Sequence, residues 1–156
     1  MKKILLLHII ALVLLSCRGY DKGANIHIVE FPPVSLGACY SSVIEKLGKP
    51  DSVITDIEYP QEYGVADSLL VYNLSDDEIV YVSINNKSTA QLNVYAFNRI
   101  KDSIYNYVSK NYKFSGNQLG ARYTDGGSTI IDVVVFDSSE TVRSEEMYEF
   151  IVSPIN

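Results

Sequence analysis

The sequence predicts an α+β domain in which two helices pack on one face of an antiparallel sheet. Three observations lead there. Two stretches carry apolar residues at helical spacing, Tyr40-Val43-Ile44-Leu47 and Ile100-Ile104-Tyr107-Val108. Several others alternate in the two-residue period of a strand with one wet face, most clearly Glu78 to Asn85 and Ser52 to Tyr59. The composition, 47% apolar and 21% charged over 156 residues, is ordinary globular usage at a length that suits one domain. Two apolar helix stripes and one apolar sheet face bury each other in a two-layer arrangement.

The elements are expected in this order. Residues 25–31 form a strand, with Ile26 and Ile28 on one side, and Pro32-Pro33 stop it. The first helix runs from Ser35 to Leu47, with Ser35 or Ser41 as its cap. Gly48 follows its end and Pro50 forbids continuation. Ser52 to Tyr59 alternates as a strand, Pro60 to Asp67 is a loop, and Ser68 to Asn73 is a short apolar strand. Ser75-Asp76-Asp77 is a side-chain-capped turn, and Asn85-Asn86-Lys87 ends the strand that follows. Gln91 to Phe97 is a strand or an extended lead-in to the second helix, Arg99 to Tyr112. Gln118 to Tyr123 and Thr129 to Phe136 flank Thr124-Asp125-Gly126-Gly127-Ser128, a strong hairpin signal. Asp137 to Ser144 is a polar loop, and Met147 to Ser153 is a last strand, with a helix over 140–150 as the competing reading. The order suggests a duplicated helix-plus-three-strand unit.

The N-terminus reads differently. Met1-Lys2-Lys3 is a basic start, and the twelve residues from Ile4 to Leu15 carry no formal charge. That run is too short to span a bilayer, which takes roughly 20 apolar residues, but it fits the apolar region of a signal peptide. Leu14-Leu15-Ser16-Cys17 then resembles the signal of bacterial lipoproteins, in which a small residue precedes the Cys that is acylated and becomes the first mature residue. The resemblance implies removal of residues 1–16, acyl chains on Cys17, and a polar tether over 17–24 ahead of the domain at 25–156. Two or more acyl chains anchor stably where one is marginal. The implied place is the cell envelope, on a bacterial membrane. The outer membrane is favoured over the inner, since Arg18 is not the Asp that retains many such proteins at the inner one.

Taking Lys2 and Lys3 away leaves 11 basic against 19 acidic side chains, a balance of −8. That argues against nucleic acid, which needs a basic patch to displace counterions, and against a basic face held to anionic lipid. With Cys17 acylated, Cys39 is the only thiol left and no internal disulfide forms. With Cys17 unmodified, a Cys17–Cys39 bridge competes.

A second resemblance rests on Leu47-Gly48-Lys49-Pro50-Asp51, which closes a short helix opening near Gly37 and leads into paired strands. Over residues 35–85 this is similar to the small outer-membrane assembly lipoproteins of the SmpA/OmlA (BamE) type, and to the wider fold shared with β-lactamase-inhibitor protein, which duplicates such a unit. It implies a protein-binding accessory rather than an enzyme. The aromatic hairpin of the assembly family is matched only loosely, by Leu70-Val71-Tyr72 and Tyr81.

Catalytic chemistry finds little support. His27 is the only histidine past the signal, too few for a His-rich zinc site. A Cys39–His27 pair is conceivable, since a thiol at a helix start can be acidified, but Cys39 reads more simply as a small buried apolar group. Asp125-Gly126-Gly127-Ser128 fails the calcium-loop template, because the twelfth position is Phe136. The acidic clusters Asp76-Asp77-Glu78 and Glu145-Glu146 read as solvated turn residues whose carboxylates point apart. No catalytic residue, metal ligand or cofactor is expected. Tyr59, Tyr63 and Tyr72 are the candidate partner-binding residues, beside the 60–67 loop. Asp51-Ser52-Val53, Asp67-Ser68-Leu69 and Asp102-Ser103-Ile104 resemble the O-glycosylation triplets of exported Bacteroidetes proteins.

The expected function is therefore a lipid-anchored, non-catalytic envelope module that binds a protein partner or supports assembly. The alternatives are an inhibitor or immunity-type protein that blocks a basic enzyme through an acidic face, and an envelope enzyme. A Tyr-rich sheet patch would favour the first, carboxylates clustered on one surface the second, and a pocket uniting Cys39 with His27 the third.

Overall fold

The computed structural model describes residues 31–155 apart from 59, 118, 119 and 142. The expected signal, Cys17, the tether, the 25–30 stretch, His27 and Tyr59 lie outside the described residues. Two α-helices and eight strands follow one another: α1 (Tyr40–Leu47), β1 (Ser52–Ile54), a 3-10 turn (Pro60–Tyr63), β2 (Ser68–Ser75), β3 (Glu78–Asn85), β4 (Ser88–Phe97), α2 (Asn98–Asn111), β5 (Lys113–Asn117), β6 (Ala121–Thr124), β7 (Thr129–Phe136) and β8 (Met147–Pro154).

All eight strands form one antiparallel sheet, in the order β1-β2-β3-β4-β8-β7-β6-β5. Each half is a meander, β1 to β4 and β5 to β8, and the two join where β4 pairs with β8. The turn chemistry is local. Asn86 and Lys87 both take positive φ between β3 and β4, as a two-residue hairpin of matching twist demands. Between β6 and β7, Asp125 Oδ1 accepts from the Gly127 and Thr129 amides at 2.8 and 3.1 Å, and Gly126 supplies the positive φ.

A single core cluster holds the fold together. Val43 of α1 and Ile104 and Val108 of α2 meet Leu70, Tyr72, Val80, Val82, Leu92, Val94, Ile131, Val133, Phe150 and Val152. The sheet members occupy alternating positions, so they share one face, hereafter the core face. Phe31 and Phe150 pack edge to face at 5.6 Å.

Several expectations are corrected. The first helix begins at Tyr40, not Ser35. The Gly37 and Tyr40 amides donate to Thr89 and Lys87 carbonyls across a bridge at Cys39–Ser88, so this stretch pairs with β4 before it can coil. Neither serine caps the start, because Cys39 occupies the cap position without a side-chain cap bond. The strand expected over 52–59 is only three residues long. Gln91 to Phe97 belongs to a full ten-residue strand. β5 was not anticipated, and it and β4 bring each half to four strands rather than three.

Candidate functional site

The sheet face opposite the core face is where side chains with chemistry gather. Two cross-strand rows define it. One reads Val71, Tyr81, Asn93, Ile151, Asp132, Arg122 from β2 to β6, and the next reads Asn73, Ile79, Tyr95, Glu149, Val134 from β2 to β7. Strand alternation puts these residues opposite the core, and antiparallel register aligns them although they lie far apart in sequence.

The 3-10 turn closes one side of this face. The Gln91 amide donates to the Glu62 carbonyl at 2.5 Å, and Asn85 donates to the Gly64 carbonyl at 2.8 Å. That seats the Tyr63 ring 5.9 Å from Tyr81, whose ring stands edge-on to Tyr95 at 5.4 Å. Beneath the rings a polar chain runs from Gln91 to Asn93 Oδ1 and from Asn93 to Glu149 Oε1, each step 2.8 Å. The Tyr95 hydroxyl is hydrogen bonded to Glu149 and to Tyr63. Its pKa is pushed far above the usual phenol value, first by burial and then by the Glu149 charge. Burial likewise raises Tyr63. Both phenols therefore stay neutral hydroxyls at any physiological pH. On the same face Ser83, paired with Gln91, is fully buried and its hydroxyl has no partner.

Farther along the face, Arg122 grips Asp132 through two bonds of 2.6 and 2.7 Å. The Asp132 side chain is only 5% exposed, so the pair is largely withdrawn from water.

The candidate tyrosines divide. Tyr63 belongs to the ring chain. Tyr72 does not: it sits on the core face, 2% exposed, with its hydroxyl toward the Gly48 carbonyl, and so offers no surface contact. Tyr95 was not singled out in the sequence, and Tyr81 only as part of the loosely matched aromatic hairpin, not as a contact residue. Their alternation on one side of β3 and β4 was visible, but the register that makes them neighbours was not.

The acidic clusters are also rearranged. Glu78 is not solvated; it is 2% exposed, on the core face beside Val80. Asp77 and Glu145 come together instead, because the Asn98 side-chain amide donates to both, at 2.9 and 3.5 Å. Arg143 bonds the Asp76 carbonyl and covers the Phe97 ring at 4.4 Å. The β2–β3 turn, the start of α2 and the 137–146 loop thus form one acidic end of the molecule.

Cys39 is exposed rather than buried. The Ser41 and Ser42 hydroxyls lie 3.1 Å from its sulfur, and these hydrogen bonds, Ser41 first, pull the thiol down to about 7. In a Cys17→Ser chain, alkylation of Cys39 should therefore level off near pH 8, and Ser41→Ala with Ser42→Ala should move that plateau up by about one pH unit. A stopped-flow alkylation profile reads both. A plateau unmoved by the double substitution would contradict the serine contribution.

Among the described residues, no group of three or more His, Cys, Asp and Glu side chains is placed to hold a metal ion, and no helix is long and apolar enough to cross a membrane. Ser52 and Ser103 of the Asp-Ser triplets are exposed, while Ser68 is half-buried. Comparison with family models, curated proteins and solved structures finds no match.

Proposed function

We propose that this chain is a lipid-anchored protein of the bacterial cell envelope, whose α+β domain binds a protein partner as a non-catalytic accessory. Acyl chains on Cys17 hold it to the membrane, and residues 18–24 let the domain stand off. The observation that carries the binding reading is the half-exposed ring chain Tyr63–Tyr81–Tyr95, with the half-exposed Ile79, Ile151 and Val134 around it on the face opposite the core. Tyr is the favoured contact residue of interface centres, being large, stiff and polar at its tip. The same reading takes both helices to cover the core face, which leaves the other for a partner. It also takes the two halves as a duplicated unit, an idea supported by the order helix then four-strand meander, met twice.

The test is cross-linking of the full chain in intact envelopes, with mass analysis of the purified product. The expected results are a Cys17 mass increased by acyl chains, release into the soluble fraction in Cys17→Ala, and a discrete cross-linked partner. Tyr63→Ala with Tyr81→Ala should weaken that contact about 30-fold or more, the scale of an interface hot spot, while the domain still unfolds cooperatively at a lowered midpoint. An unmodified, soluble chain overturns the anchor. A cross-link indifferent to both tyrosines overturns the face.

The acidic end favours a second reading, an inhibitor or immunity-type protein. Asp76, Asp77 and Glu145 sit together there and suit a basic enzyme surface. Salt-sensitive binding abolished by Asp76→Lys and Glu145→Lys, but not by the tyrosine pair, decides for it.

A further inference from the structure

Glu78 is a carboxylic acid in the wrong place for a charge. It opens β3 on the core face, in a cross-strand row that reads Glu78, Ala96, Tyr148, Val135. It is 2% exposed, and its Oε2 has no hydrogen-bond partner. Lys101 is the cation that reaches this row, with its ammonium 4.8 Å from the Tyr148 ring centre. It is already committed to Glu146 at 2.6 Å and Asp102 at 3.2 Å. Among the described residues Glu78 has no ion-pair partner.

Directly beside Glu78 the acidic end is fastened shut. The Phe97 amide donates to the Asp77 carbonyl at 2.9 Å, Asn98 holds Asp77 and Glu145, Arg143 holds the Asp76 carbonyl, and Lys101 holds Glu146. The charged groups on the elements meeting there are Asp76 and Asp77 of the turn, Arg99, Lys101 and Asp102 of α2, and Asp137, Glu140, Arg143, Glu145 and Glu146 of the loop. Apart from the spent Lys101, the cations, Arg99 and Arg143, are exposed.

We propose that Glu78 is a pH-responsive lock on the acidic end: protonated, it lets the β2–β3 turn, the start of α2 and the 137–146 loop stay docked; ionised, it leaves for water through them and undoes the docking. An unpaired carboxylate kept dry is costly, and the strand end closed by these contacts begins at the very next residue, Asp77. Asp76, Asp77 and Glu145 then form one surface only while Glu78 keeps its proton.

Burial alone raises the Glu78 carboxyl from 4.5 to about 7. A raised acid pKa favours folding below its unfolded value. That advantage is lost as pH climbs through about 7. The full swing corresponds to roughly 300-fold in the equilibrium between docked and open forms.

The experiment is amide hydrogen exchange on the full chain across pH 5.5 to 8.5, corrected for intrinsic exchange, with Glu78→Gln alongside. In the natural chain, protection at the Asp77, Phe97 and Ser144 amides should fall at least tenfold, with a midpoint near pH 7, while the Ile131 and Val133 amides of β7 keep theirs. Glu78→Gln should abolish the pH dependence. Because the natural chain's own profile must show the step, the proposal stays testable even if that variant folds poorly. A flat profile overturns it, as does an equal loss across β7, which marks global destabilisation. A step that survives in Glu78→Gln overturns it too.

Discussion

Gly120→Ala should destabilise the protein by about 3–5 kcal/mol, in the range reserved for broken packing or ladders. A Cβ at this position would lie 2.0 Å from the Val133 carbonyl oxygen and 2.7 Å from its carbon. Both are backbone atoms in the middle of β7, so no flexible side chain can give way. The chain enters β6 at the next residue, where Ala121 pairs with Val133 and Arg122 with Asp132. An added methyl must push β6 off β7 and strain both rungs. Gly127 supplies the control: the atoms nearest its added Cβ would be those of the Asp125 carboxylate, at 3.5 Å, so Gly127→Ala should cost under about 1 kcal/mol. Urea unfolding of the two variants reads the contrast. Equal midpoints would show that β6 does not approach β7 so closely at Gly120.

Arg122→Ala should cost about 3–5 kcal/mol, because it strands a buried carboxylate. The Asp132 side chain is 5% exposed and the Arg122 side chain 21%, so the two halves of the pair are not equivalent. Removing the arginine leaves Asp132 dry and alone. Removing the aspartate leaves a guanidinium that can turn toward water, so Asp132→Ala should cost less, about 1–2 kcal/mol. Replacing both with leucine restores apolar packing and should come close to the natural stability. Denaturant midpoints of the four chains decide it, and equal losses for the two single variants would sink the asymmetry. Arg122 and Gly120 act on the same rungs, so their costs should not add.

How much of this was legible in the sequence depends on what each segment touches. β7 was readable from the Asp125-Gly126-Gly127 turn before it, whereas β3 was readable because one of its faces meets the core, with Val80 and Val82 alternating with Ile79 and Tyr81. The α2 stripe was readable for the same reason, since Ile104 and Val108 are its buried residues. The edge strands were not. β5, Lys113-Phe114-Ser115-Gly116-Asn117, shows no alternation because almost nothing covers it, and Phe114 remains 54% exposed. β1 shortens likewise, all three of its residues being exposed.

The site followed the same logic. Tyr63 was found from its place beside a loop, but its partners Tyr81 and Tyr95 depend on register, which no local pattern encodes. Tyr72 and Glu78 were misplaced although parity was available: Tyr72 shares a side with Leu70, and Glu78 with Val80 and Val82. In both cases residue type outweighed position, and position was the better guide.

The joining of the two meanders has a consequence for synthesis. β8, latest of the described strands to leave the ribosome, is not at a margin but lies between β4 and β7. Until it emerges, each of those neighbours presents an open row of amides and carbonyls, so the two halves cannot join before β8 is made. A nascent polypeptide of this design should need chaperone protection until β8 emerges, and deleting β8 should leave two sticky half-sheets with no strand to join them.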